Sequence, residues 1–125
     1  MDMTLDVTQV LIGYDGEALM DTKPIYDDNG VQHVDAKGEL QVEKVPITLR
    51  PICTNALMLV METDRGMSGE DKVKLWSLAG RIQKEDKPYL LAADLVLLEK
   101  RIGAAYGPAI VGPAFLLLNG TPATP

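Results

Sequence analysis

The sequence predicts an α+β domain: a small N-terminal antiparallel β region followed by a bundle of about four helices. Two patterns carry that expectation. Residues before Val45 are β-prone and punctuated by turn signals, whereas from Thr48 onward apolar residues recur at three- and four-residue steps. A chain of 125 residues is long enough for one domain with a core of its own and too short for two ordinary ones. The expected unit is residues 1–120, with its β region at 7–45 and its helical region at 48–119. Residues 121–125 are expected to fray.

The β region opens with the run Thr8-Gln9-Val10-Leu11-Ile12, which ends at Gly13, and Asp15-Gly16 is the next turn signal. Ile25-Tyr26 and Val31-Gln32-His33-Val34 flank Asp27-Asp28-Asn29-Gly30, where Asn-Gly supplies the positive φ that tight hairpins need. Lys37-Gly38 marks another turn. Leu40 to Val45 then alternates apolar and polar, as a half-buried strand does.

Helix A is expected from its N-cap Thr48, with Pro51 tolerated in the first turn. Leu49, Ile52, Cys53, Ala56, Leu57 and Val60 share one face, and Asp64-Arg65-Gly66 is the expected stop. Helix B opens at Ser68 with Asp71 three residues on, a relative of the capping box. Its predicted stripe is Leu75, Trp76, Ala79 and Ile82, with Glu70, Lys72, Lys74 and Arg81 toward water. Helix C covers about Ala92 to Tyr106. Its seam is Leu91, Leu95, Leu98, Ile102 and Ala105, which leaves Glu99, Lys100 and Arg101 on the opposite side. Gly107 breaks it, Pro108 suits the first position of helix D, and Asn119-Gly120 ends that helix after Leu118. Pro113 lies inside helix D and is expected to kink it.

The totals exclude some classes of function. Twelve basic residues against eighteen acidic ones, a net charge of −6 with no basic run, argue against nucleic acid and against anionic lipid as partners. Cys53 is the single cysteine, so neither an intrachain disulfide nor a thiolate zinc cluster is expected. The N-terminus has no basic stretch followed by an apolar run, and Pro108–Leu118 is too short to span a bilayer. A cytoplasmic location, with no membrane partner, is the expectation.

No residue pattern identifies catalysis, and the expected lists of catalytic, cofactor-binding and metal-binding residues are empty. His33 stands alone without a motif around it. Cys53 falls on the apolar face of helix A and reads as core packing. Asp27-Asp28-Asn29-Gly30 superficially resembles a calcium loop. Ile25 occupies the position of the first ligand, however, so the hairpin reading wins. Trp76, Tyr89, Tyr106 and Phe115 read as core rather than as a stacking platform.

Three stretches resemble small proteins encoded by temperate phages and prophages: Ile47 to Leu57, Ser68 to Lys72, and Leu75-Trp76-Ser77-Leu78-Ala79 continuing to Tyr106-Gly107-Pro108-Ala109-Ile110-Val111-Gly112. The Asp15-Gly16 turn with its short β segments is similar as well. Residues 21–44 depart from the pattern as an expanded β region, and Leu91-Ala92-Ala93 lacks a Ser or Thr cap before helix C. The resemblance implies an origin and no mechanism.

These readings point to a non-enzymatic protein-interaction factor of phage type, an adaptor or modulator of a host or phage protein. The alternative is a virion or assembly component that self-associates; a nucleic-acid or replication accessory stands behind both. Helix D carries no charge, so part of its surface, at Ile110, Phe115 and Leu118, is the expected contact with a partner or a second copy.

Overall fold

The structure, a computed structural model, describes residues 2–120. Its order is β1 (Met3–Thr4), β2 (Met20–Pro24), β3 (Val42–Pro46), α1 (Leu49–Met58), a single 3-10 turn (Glu62–Asp64), α2 (Gly69–Lys84), β4 (Tyr89–Leu90), α3 (Ala92–Ala105) and α4 (Pro108–Leu118). Both sheets are antiparallel pairs, β1 with β4 and β2 with β3. The α+β architecture is the one expected; the tail Thr121–Pro125 lies outside the described residues.

The core forms around α1, which packs against α2, α3 and α4. Leu49, Ile52, Cys53, Ala56 and Leu57 are its buried face, as their spacing predicts. They meet Leu75, Leu78, Ala79 and Ile82 of α2 and Leu98 and Ile102 of α3 in one cluster. Leu5, Val7 and Leu11 complete it from the N-terminal segment. Each fully buried leucine contributes roughly 1.5–3 kcal/mol relative to an exposed one.

Local signals end most helices where expected. The Ser68 hydroxyl accepts the Asp71 N–H at 3.1 Å, capping α2. Pro108 is the first residue of α4, which runs on through Pro113, and Gly120 past its end has φ +79°. The missing Ser or Thr before α3 is replaced from two directions. Asp94 accepts the Leu91 N–H at 3.0 Å, and Asp2, far away in the chain, accepts the Ala92 N–H at 2.8 Å.

The segment from residue 7 to 45 differs from the simple sheet expected of it. Thr8 to Ile12 is not a strand: Val10 and Ile12 make isolated bridges, while Val7 and Leu11 turn into the core. The sheet pairing at this end belongs instead to β1 and β4, neither of which was expected. Beyond Leu11 the chain forms two closed rings of backbone bonds. Leu11 N–H donates to Ile47, Ile47 to Leu19 and Leu19 to Leu11, at 2.8–2.9 Å. Ile25 donates to Gln41, Gln41 to His33 and His33 to Ile25, at 2.7–3.1 Å.

Each ring joins three antiparallel limbs. The β2–β3 ladder runs between the rings as the stem of an exposed arm, and hairpins 26–32 and 34–40 form its tip. In those hairpins Asp27 accepts the N–H groups of Asn29 and Val31, and Asp35 those of Lys37 and Glu39. Gly30 and Gly38 take φ +79° and +82°, the left-handed residue that closes a three-residue hairpin loop. Asn29 does not share that conformation.

Candidate partner-docking groove

Arg101 shapes the surface that follows α1. Expected to face water with Glu99 and Lys100, it is instead 5% exposed and reaches from α3 to the C-terminal end of α1. Its Nε donates to the Ala56 carbonyl at 3.0 Å, and its Nη2 to those of Leu57 at 3.3 Å and Leu59 at 2.7 Å. Its Nη1 pairs with Asp64, whose other oxygen accepts the Met61 N–H at 3.0 Å. A planar guanidinium satisfies several orphan carbonyls of a helix end at once. This explains why α1 stops at Met58 rather than near Asp64. The Arg101 hydrogen bond, and after it the Met61 N–H, holds the Asp64 carboxyl below its ordinary 3.8. Arg50 acts alike on α2, donating to the Ile82 and Glu85 carbonyls and pairing with Asp86.

Because α1 ends early, Leu59-Val60-Met61 leaves the helix and forms the edge of an open groove of about 610 Å³. Val60, expected on the buried face, is 90% exposed. The opposite wall is Leu75 and Trp76 of α2, and Met58, Met61 and Met67 line the space between. Trp76 is a further correction: expected in the core, it is 66% exposed. With Met58 it forms a ridge shared with an adjoining depression of about 550 Å³. The α2 stripe is Leu75, Leu78, Ala79 and Ile82, at steps of three, one and three. Trp76 follows Leu75 directly, and the i, i+3, i+4, i+7 rule leaves it out.

Charge around these two depressions is net positive, against the balance of the chain. Lys72 borders the first and Lys84 the second, and neither joins a salt bridge among the described residues. Arg65 pairs with Glu62 at 3.3 Å and Arg81 with Asp94 at 3.8 Å. Flexible thioethers beside an exposed tryptophan are adaptable contact chemistry. Nothing in the arrangement activates a nucleophile.

The other residues singled out from sequence lie apart from the groove. His33 closes the tip ring through its backbone and exposes its side chain. Cys53 is buried, and desolvation pushes its thiol up to about 12, away from thiolate chemistry. Asp27 spends its carboxylate on backbone N–H groups. Tyr89, expected in the core, is exposed, and its hydroxyl donates to Asp2 at 3.2 Å. Of the helix D residues, Leu118 is 2% exposed and packs into the core, so it offers no outward contact. Ile110 and Phe115 are half-buried against that core. Among the described residues, no group of three or more His, Cys, Asp or Glu is placed to hold a metal ion. No helix among them is long and apolar enough to cross a membrane.

Comparison with family models, with curated proteins and with solved structures returns no match.

Proposed function

We propose that this protein is a non-enzymatic protein-interaction factor of phage type, an adaptor or modulator acting on a host or phage protein in the host cytoplasm. The observation that carries the reading is the exposed Met58–Trp76 ridge between two open depressions. A tryptophan held in water beside methionine, leucine and valine is costly to leave uncovered and is typical of a contact centre. The acidic balance of the chain supports a protein partner over nucleic acid. On α4, Ile110 and Phe115 remain as a smaller second contact.

The alternative, a self-associating virion or assembly component, draws support from the arm, whose tip exposes apolar side chains among acidic ones. A photo-crosslinking residue placed at position 76 tests the docking reading, with position 96 on the exposed side of α3 as control. The expected result is a discrete protein adduct from 76 and none from 96. Equal labelling from both positions, or none from 76, overturns it.

A further inference from the structure

We infer that the groove beside Trp76 takes the tip of the arm of a second copy of this chain. The inference rests on the reading of that groove as a protein-docking surface, and in naming the occupant it takes up the self-associating alternative.

The arm is built to present its tip and not its edges. Ile25 donates to Gln41 and Ile47 to Leu19, so the odd-numbered residues of β2 face β3. The backbones of Met20, Thr22 and Pro24 therefore point outward, as do those of Val42, Lys44 and Pro46 on the other edge. Pro24 and Pro46 have no N–H to offer, and the Asp21 carboxylate occupies the Thr22 N–H at 2.8 Å. Such edges resist strand addition. Three of the six outward positions on the two edges thus offer no free N–H, and the arm's continuous surface is its side chains.

The tip supplies them. Tyr26, Val31, Val34 and Leu40 are all more than half exposed. The ring of Ile25, His33 and Gln41 and the two aspartate-held loops fix the backbone that carries them. A pre-ordered element loses little entropy on docking. The groove offers methionines and a tryptophan of matching character.

Charge selects between the possible self-contacts. Asp28 and Glu39 join Asp27 and Asp35 at the tip against the one Lys37, while Lys72 and Lys84 stand beside the ridge. Tip against tip sets acid on acid, and ridge against ridge sets base on base. Tip against groove is the complementary arrangement. Because the two surfaces differ, the contact either closes reciprocally, each tip in the other copy's groove, or repeats into a ring or a filament.

Sedimentation velocity of the full chain from micromolar to millimolar concentration tests this, with circular dichroism confirming that each variant folds. The wild type is expected to associate, and more weakly at high salt. A groove variant, Trp76→Glu, and a tip variant, Tyr26→Ser with Leu40→Ser, are each expected to stay monomeric. Mixed, they should form a one-to-one pair that grows no further, since one intact tip and one intact groove remain. Asp28→Lys with Glu39→Lys should weaken association about tenfold or more, and adding Lys72→Glu with Lys84→Glu should restore it.

A wild type that stays monomeric throughout overturns the inference. In that case a cross-link from position 76 to a protein of different sequence leaves the docking reading standing, and its absence removes both. Association lost in the groove variant but kept in the tip variant also overturns the occupant named here, with the groove still a docking surface.

Discussion

Replacing Arg101 by alanine removes the group that closes α1, joins α3 to it and neutralises Asp64. Three carbonyls, of Ala56, Leu57 and Leu59, lose a charged donor, and the Asp64 carboxylate is left without its cation. A hydrogen bond to a charged group contributes about 1.5–3 kcal/mol, and such terms overlap within one guanidinium. Arg101 is buried and Asp64 only partly so, and breaking the pair costs less than the loss of a partner from a fully buried one. A loss of about 4 kcal/mol is therefore expected, a large share of a total stability of about 5–15 kcal/mol. Arg101→Met keeps the aliphatic stem, so the difference between the two variants separates packing from polar loss.

Urea denaturation followed by far-ultraviolet circular dichroism measures it. A double-mutant cycle with Asp64→Asn should return a favourable coupling between the two side chains. Acid adds an independent check. The Asp64 pKa is lower folded than unfolded, so the pair's contribution is fully present above 3.8 and is lost as pH falls through the folded value. Wild type should thus lose stability below that point more steeply than Asp64→Asn. A cost under about 1 kcal/mol for Arg101→Ala, with an unchanged m-value, would refute the claim that this residue ends α1.

Three other expectations are simpler to read. Cys53 should label slowly with a thiol reagent in the native protein. Its raised pKa means that the stability tied to the neutral thiol is present below 9.0 and fades as pH rises toward 12. Leu98→Asp places a carboxylate at a fully buried point of α3 and should abolish cooperative unfolding; unchanged melting would place Leu98 outside the core. Gly38→Ala has open space around it but φ +82°, so a local cost of about 1 kcal/mol is expected. Faster amide exchange confined to hairpin 34–40, with the helices unaffected, is the result that checks it.

The chain's own local chemistry determined a good part of this molecule. The spacing of Leu49, Ile52, Cys53, Ala56 and Leu57 identified the face α1 buries, because one helix period fixes which side chains share a side. Ser68, Pro108 and Gly120 marked helix ends, since a cap or a breaker acts within one turn. The tip hairpins were half legible. Asn29-Gly30 and Lys37-Gly38 marked two turns, but not the loops that Asp27 and Asp35 hold nor the ring that joins them.

What tertiary structure decided depends on partners distant in the chain. Arg101 reads as a surface charge because its own helix offers nothing to pair with; its acceptors lie 37 to 45 residues away, at the end of α1 and in the turn beyond it. The early end of α1, and with it the exposure of Val60, follows from that one contact. Trp76 falls outside the series that Leu75, Leu78, Ala79 and Ile82 make, so spacing alone gives its exposure, but not that it borders the gap left where α1 stops. The candidate groove was therefore hidden from the sequence, because periodicity tells which face of each helix is apolar and says nothing of where one helix stops covering the next.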